Sequence, residues 1–141
     1  MPSFKVFDIA GSGMSAQSVR LNTVASNLAN ADSVSGDPNA VYKARHPVFE
    51  AVRASLSSQQ SSDGSGAAVR VRGIMESTAT PMARYEPGNP LANSEGYVYS
   101  PNVNTVEEMT DMISASRAYQ NNIEVMNTSK ELMLATLKLG Q

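Results

Sequence analysis

The strongest constraint on this sequence is a seven-residue spacing of apolar side chains at both of its ends. Near the N-terminus the spacing is kept by the larger apolar residues Phe7, Met14, Leu21 and Leu28. Near the C-terminus it is kept by a column rich in methionine, namely Met112, Tyr119, Met126 and Met133. A seven-residue interval places side chains on one stripe of an α-helix, and such stripes are typical of helices that pack lengthwise. The spacing therefore predicts two long helices that pack against each other.

Each column has companions three or four residues away, as the heptad pattern requires. In the N-terminal helix Val24 follows Leu21 by three residues, and in the C-terminal helix the companions are Met109, Ile123 and Leu137. The C-terminal helix has a further apolar column on another face, formed by Val125, Leu132 and Leu139. A helix with two apolar faces needs more than one neighbour. Methionine suits such contacts because it is unbranched and adapts to different surroundings.

The C-terminal helix has a clear predicted start at Thr105. Thr105 and Glu108 have the spacing of a capping box, in which each side chain bonds the backbone amide of the other residue. Glu107 adds negative charge at the positive end of the helix dipole. The N-terminal helix is expected over residues 3–31. The GSG segment at residues 11–13 predicts a soft point there, since glycine weakens a helix by about 1 kcal/mol relative to alanine.

Residues 32–104 hold every proline except Pro2 and most of the turn-forming residues. This composition predicts a β-rich, partly irregular insert between the helices. Strands are expected at residues 41–45, 47–55 and 69–74 and around Tyr97 and Tyr99. Residues 57–66 are rich in Ser, Gln and Gly, which predicts a flexible hairpin tip.

These patterns together predict a mainly α fold with a small β insert. The two terminal helices are expected to pair as an antiparallel coiled coil, because each stripe would otherwise face water. Residues 1–31 and 105–141 would then form one discontinuous core domain, and residues 32–104 would form the insert. Because a pair of helices buries little surface, self-association or another partner is expected to cover the rest.

Composition argues against several classes of function. The formal net charge is −2 and the pI is about 5.3, so no net attraction for nucleic acid is expected. The chain has no cysteine, which excludes disulfides, thiolate metal sites and cysteine nucleophiles. His46 is the only histidine, so no catalytic centre, metal site or cofactor is predicted. No apolar run approaches the roughly 20 residues of a membrane span, and the N-terminal residues lack the pattern of a secretory leader.

The two predicted helices also carry amide side chains that are poor choices for helix stability: Asn22, Asn27, Asn30, Gln120, Asn121, Asn122 and Asn127. Such side chains can fix the register of two helices by hydrogen bonding between them. They can equally face solvent and have no further role. The sequence leaves both interpretations open.

Two segments of the chain resemble the terminal motifs of the bacterial flagellar axial proteins, the family of rod and hook subunits. They are VASNLANADSVSGDPNAVYKARHPVFEAV at residues 24–52 and NVNTVEEMTDMISASRAYQNNIEVMNTSKELMLATLKLGQ at residues 102–141. The residues that carry the motifs are Ser26, Asn27, Leu28, Ala29, Asn30, Glu107, Glu108, Arg117, Tyr119, Gln120 and Asn127. Gly36 is followed by Asp37 where the general pattern has an aromatic residue, which favours the proximal rod subgroup.

The resemblance implies a structural protein and not an enzyme. It implies that the terminal helices pair, and that the subunits pack into the hollow axial shaft that transmits torque from the motor to the hook. The implied partners are copies of the chain, other rod subunits, basal-body ring and hook components, and the flagellar type III export apparatus. The implied location is the periplasm-spanning rod, reached without a cleavable signal peptide.

Two other hypotheses follow from the residues alone. A soluble helical hairpin could act as an adaptor that binds a single partner protein, with the insert as its recognition surface. A small hydrolase could use His46 with a nearby serine or carboxylate. The adaptor would form a defined complex and never a polymer, whereas the hydrolase would lose its activity on His46→Ala without losing its fold.

Overall fold

The computed structural model describes residues 2–53 and 67–139. They form six elements in chain order: α1 (Pro2–Ala29), β1 (Arg45–Arg53), β2 (Ala67–Glu76), β3 (Met82–Tyr85), β4 (Tyr97–Ser100) and α2 (Thr105–Leu139). The flexible tip predicted at residues 57–66 lies outside the described residues. Within the described part of the chain, neither helix combines the length and the apolar character needed to cross a membrane.

The expectation of a mainly α fold is wrong. Of the 141 residues, α1 contains 28 and α2 contains 35, which together is less than half of the chain. The region between them contains two separate two-stranded antiparallel sheets, β1–β2 and β3–β4. The strand predicted at residues 41–45 is not found, because regular pairing begins only at Arg45. β1 and β2 are nine and ten residues long, and β1 mixes charged and apolar residues, so its alternation in the sequence is weak.

Helix α1 is continuous through the GSG segment where a soft point was predicted. A Cβ atom built on Gly13 would lie 2.9 Å from the amide nitrogen of Asn122 on α2, whereas one on Gly11 would meet nothing within 4 Å. The bare backbone at Gly13 therefore lets the side chain of Asn122 come close. The helix ends near Asn30, whose side chain donates a 2.8 Å hydrogen bond to the Ser26 carbonyl.

Helix α2 begins at the predicted residue, Thr105, but its cap differs from the capping box expected there. The side chain of Asn104 accepts a 3.1 Å hydrogen bond from the amide of Val106 and a longer one, 3.5 Å, from Glu107. Asparagine is a favoured N-cap residue, so the first turn needs no help from Glu108. The Glu108 side chain is thereby free to point towards α1.

The two helices contact each other and run in opposite directions. Asn27 of α1 bonds Glu108, Arg20 bonds Asp111, and Gly13 lies against Asn122. Positions later in α2 thus face positions earlier in α1. Small and polar side chains make these three contacts, in addition to the half-burial of the predicted N-terminal and methionine columns.

The two-column coiled-coil packing predicted for α2 is not found. The companions predicted for the methionine column, Met109, Ile123 and Leu137, lie on the exposed surface of α2. Their place beside the methionine column is taken by buried or half-buried small and polar residues, Glu108, Ala115, Asn122 and Ser129. Both sets of residues satisfy the seven-residue spacing, and the sequence pattern favoured the apolar set that includes Met109. Hydrogen bonding across the helix pair instead places the set that includes Glu108 towards α1.

The hairpin β1–β2 packs against α1. Its strands pair from Arg45 opposite Glu76 to Arg53 opposite Ala67, with an irregularity between Val48 and Phe49. Ion pairs join opposite residues across the hairpin, Arg45 with Glu76 and Glu50 with Arg70. These pairs are exposed and contribute little stability.

The second sheet lies between the hairpin and α2 in the chain. Its strand β4 is also bridged to the segment after α1, because Ser35 and Tyr99 exchange backbone hydrogen bonds of 2.8 and 3.0 Å. Val98 at its centre is fully buried. The core around it is thin, since the buried apolar side chains of the described residues, Pro101 aside, are all alanine or valine: Ala10, Ala16, Val24, Val41, Ala44, Val98 and Ala115.

Candidate assembly surface and helix junction

The outward face of α2 carries a row of exposed apolar side chains. We call it the outer stripe, and it consists of Val106, Met109, Ile113, Ile123, Leu134 and Leu137. Their exposed fractions run from 38 to 71%. Their successive intervals of 3, 4, 10, 11 and 3 residues keep them on one side of the helix. Polar side chains, including Gln120 and Asn127, occupy the middle of the same face. An apolar row of this length on a helix indicates a contact surface, because soluble monomers rarely expose large apolar patches.

The structure divides the predicted interface residues into two groups. Val24 is buried, and the N-terminal and methionine columns are half-buried between or beside the helices: Phe7, Met14, Leu21, Leu28, Met112, Tyr119, Met126 and Met133. The remaining three, Met109, Ile123 and Leu137, are exposed in the outer stripe. Sequence reasoning missed the other half of the stripe, namely Val106, Ile113 and Leu134. The sequence pattern that could have identified them is the seven-residue register shared by Val106, Ile113 and Leu134.

A second feature lies where the end of α1 meets the start of α2, and we call it the helix junction. Its centre is Asn27, which is fully buried. The Asn27 side-chain nitrogen donates hydrogen bonds to the Glu108 carboxylate (2.8 Å) and to the Arg45 carbonyl (2.9 Å). Its oxygen accepts hydrogen bonds from the Arg45 amide and the Tyr42 hydroxyl, each 2.9 Å long. All four hydrogen-bonding positions of the amide are therefore used.

The partners of Asn27 are themselves held in place. Glu108 is only 5% exposed, and its second carboxylate oxygen has no hydrogen-bond partner among the described residues. The Tyr42 hydroxyl also shares a 3.2 Å hydrogen bond with Ser26, and the Arg45 guanidinium lies 5.6 Å from the centre of the Tyr42 ring. The junction thus joins α1, β1 and α2 through one asparagine.

The amide side chains of the helices have different roles. Asn27 bonds Glu108 across the helix pair, which is the contact expected of an amide that fixes helix register. Asn122 is half-buried against Gly13. The others either bond their own helix, as Asn30 does, or are exposed: Asn22, Gln120, Asn121 and Asn127. Of the remaining motif residues, Glu107, Arg117 and Ala29 are also exposed.

The titratable groups of the described residues form no metal-binding cluster and no hydrogen-bonded catalytic pair. The hydrogen bond from the Asn89 side-chain amide lowers the pKa of the Glu86 carboxyl, desolvation opposes this, and the neighbouring Arg84 lowers the pKa further. No three acidic or histidine side chains in residues 2–53 and 67–139 are grouped to hold a metal ion. His46 is exposed on β1 opposite Met75, and no catalytic partner is bonded to it in this part of the chain.

Both ends of the chain match family models. Residues 7–36 match the model described as flagella basal body rod protein. Residues 94–139 match the model described as flagellar basal body rod FlgEFG protein C-terminal. The first match contains most of α1 and the second contains β4 and the whole of α2, so the matched segments meet at the helix junction.

Curated relatives are similar over the full length. The flagellar basal-body rod protein FlgC of Salmonella typhimurium is 52% identical over 141 residues, covering the whole of both chains. That of Escherichia coli O6:H1 is 51% identical over 144 residues, again with complete coverage. That of Aquifex aeolicus is 41% identical over 138 residues, which is 98% of this chain and 97% of the relative.

Proposed function

The chain belongs to the flagellar basal-body rod protein family, and we propose that it assembles into the rod through the outer stripe of α2. Its role as a structural subunit of the rod follows from its full-length similarity to proteins named as flagellar basal-body rod protein. The observation that supports the assembly surface is the row of exposed apolar side chains on α2. A helix in an axial shaft needs an apolar face towards its own partner helix and another towards neighbouring subunits.

The energetics support this use of the outer stripe. Full burial of a Val, Leu, Ile or Met side chain contributes about 1.5–3 kcal/mol. The six stripe residues are already partly covered, so each contributes roughly 1 kcal/mol when a neighbour covers the rest. Many such contacts are needed, because association also costs translational and rotational freedom. Repetition of the same contact around a shaft supplies them.

The proposed partners are copies of this chain and other rod subunits, with basal-body ring and hook proteins beyond them. The proposed location is the rod where it spans the periplasm, and the proposed route is the flagellar type III export apparatus. The rod carries torque from the motor to the hook, and no catalytic step is part of the proposed role. The discontinuous core domain and the interface residues on the two helices are part of the same proposal.

Complementation tests the outer stripe. A Salmonella typhimurium strain without its own FlgC receives this chain, and rods are counted by electron microscopy of isolated basal bodies. We expect the unmodified chain to restore rods, and Met109→Ser with Ile113→Ser to reduce their number. The matched control is Leu91→Ser, because Leu91 has nearly the same exposed fraction as Ile113, 54 against 56%, but lies in the central region.

The outcomes separate the parts of the proposal. Normal rod numbers with the stripe variant would overturn the assembly surface. Equal loss in the stripe variant and in Leu91→Ser would show that any exposed apolar substitution interferes. A defined one-to-one complex with a single partner, and no rods from the unmodified chain, would favour the adaptor hypothesis.

A further inference from the structure

Two asparagine side chains hold the base of the β1–β2 hairpin from opposite sides. Asn27 of α1 bonds both backbone polar groups of Arg45, the first residue of β1, at 2.9 Å each. Asn102, which precedes α2, accepts a 2.9 Å hydrogen bond from the Ala44 amide. It also donates to the Ser77 hydroxyl (3.0 Å) and to the Ala79 carbonyl (2.9 Å), just after β2 ends. Side-chain amides therefore hold the hairpin where β1 begins and just after β2 ends.

The geometry at Arg45 is specific. An amide that bonds both the N–H and the C=O of one residue imitates a neighbouring β-strand, so it fixes the direction of the chain as well as its position. A single contact of this kind would still leave the hairpin free to swing about it. The bonds made by Asn102 supply a second point on the other side of the base, and the backbone bond from Ser77 to Ala44 (2.7 Å) ties the two sides together.

The same amide reaches the other helix. Asn27 donates its second hydrogen to Glu108 in the first turn of α2, and Asn27 itself is fully buried. Further along the hairpin, the polar contact with α1 in the described residues is a 3.1 Å bond from the Val69 amide to the Ser12 hydroxyl, which is exposed. The bonds between Asn27 and Arg45 are part-buried, so the base is the better-protected attachment, since water competes less well for a hydrogen bond that is partly buried.

We propose that Asn27 and Asn102 form a two-point joint that fixes the angle between the hairpin and the helix pair. Both are positioning residues, because they act through the strand ends and do not form the assembly surface. The joint rests on geometry alone. In the assembled rod, the joint would pass load from the hairpin to the helices without bending at the base. This use of the joint rests on the proposed function.

Distance measurements between spin labels test the joint directly, because the chain has no cysteine and labels can be placed at will. One pair, Arg72→Cys with Ser114→Cys, joins exposed positions on β2 and α2 and reports the hairpin angle. A second pair, Ser15→Cys with Ser114→Cys, joins exposed positions on α1 and α2 and reports the helix pair. Both pairs are measured on the purified full chain.

The test variants are Asn102→Ala and Asn27→Ala, and the control is Asn22→Ala on the exposed side of α1. Among the described residues, the hydrogen bonds of the Asn102 side chain go to Ala44, Ser77 and Ala79 and not to either helix, so its variant loosens the hairpin without touching the helix pair. We expect Asn102→Ala to broaden or split the hairpin distance while the helix-pair distance stays narrow. Asn27→Ala should broaden the hairpin distance at least as much, and the control should change neither.

A hairpin distance that stays narrow in both test variants would overturn the joint. Equal broadening of both distances in Asn102→Ala would do the same, because it would show general loosening of the fold. Rod assembly is read separately in the complemented strain, so a failure of the proposed function leaves the distance result intact. Normal motility with a loosened hairpin would overturn the load-carrying use of the joint.

Discussion

Replacing Asn27 with alanine removes four hydrogen bonds at once and leaves their partners in place. Two of these partners are the backbone groups of Arg45, the third is the Tyr42 hydroxyl, and the fourth is the Glu108 carboxylate. Alanine offers no polar atom to any of them. The cost therefore depends on how well water can replace the lost amide at each partner.

Glu108 dominates the expected loss. It is 5% exposed, and its other oxygen already lacks a partner among the described residues, so the substitution leaves a buried carboxylate without any hydrogen bond in that part of the chain. A buried polar group left unpaired costs about 1–3 kcal/mol, and a charged one lies at or above the upper end. Arg45 is exposed and Tyr42 keeps its contact with Ser26, so together they add about 1–2 kcal/mol. We expect a total loss of about 3–5 kcal/mol, a large part of the 5–15 kcal/mol that stabilises ordinary domains.

Urea unfolding of the full chain, followed by far-UV circular dichroism, measures this loss. Asn22→Ala is the matched control, because Asn22 is an exposed asparagine on the same helix and its loss should change the free energy of unfolding by less than about 0.5 kcal/mol. Adding Glu108→Ala to Asn27→Ala should recover part of the stability, since the unpaired carboxylate is then gone. An Asn27→Ala effect no larger than that of the control, or strictly additive effects of the two alanine substitutions, would contradict the role given to the Asn27–Glu108 bond.

Four further substitutions have expected outcomes that the same structure defines. Gly11→Ala should raise the free energy of unfolding by about 0.5–1 kcal/mol, and Gly13→Ala should raise it less, because a Cβ there would lie 2.9 Å from an amide side chain of α2; urea unfolding compares the two. Gly96→Ala should lower stability by roughly 1–3 kcal/mol, since Gly96 has a φ of 82° and its Cβ would lie 2.9 Å from a tyrosine ring; thermal unfolding measures the change. Asn89→Ala should raise the pKa of Glu86, because the amide bond that favours the carboxylate is lost; carboxyl NMR titration would show no shift if the reasoning is wrong. Because the Glu86 pKa is lowered in the folded chain, its contribution to stability is present above the unfolded pKa and is lost as the pH falls through the folded pKa, so Asn89→Ala should weaken that acid dependence.

The sequence is sufficient to predict the positions of the two helices. The absence of glycine and proline from residues 105–139 and the seven-residue spacing near the N-terminus both indicate long helices, and these are found. The spacing does not say which of two adjacent columns faces the partner helix. That choice depends on hydrogen bonds such as the one between Asn27 and Glu108, whose partners are far apart in the sequence.

The central region is harder to predict for a related reason. The pairing of β3 with β4 and the bridge from Ser35 to Tyr99 depend on contacts between distant parts of the chain. No local sequence pattern identifies Asn102 as part of the joint, because its partners Ala44 and Ser77 are 58 and 25 residues away in the sequence. Asn104 is different, since an asparagine just before an acidic first turn is a recognisable cap, with Glu107 three residues after it.

The thin core has a consequence for how the chain tolerates mutation. Its buried apolar side chains are alanines and valines, so trimming Val24 or Val98 to alanine deletes only two methyl groups, at roughly 1–2.5 kcal/mol. The loss expected at Asn27 is larger. In a library of single substitutions, buried apolar positions usually tolerate replacement least. Here the polar position Asn27 should tolerate replacement less well than the buried valines.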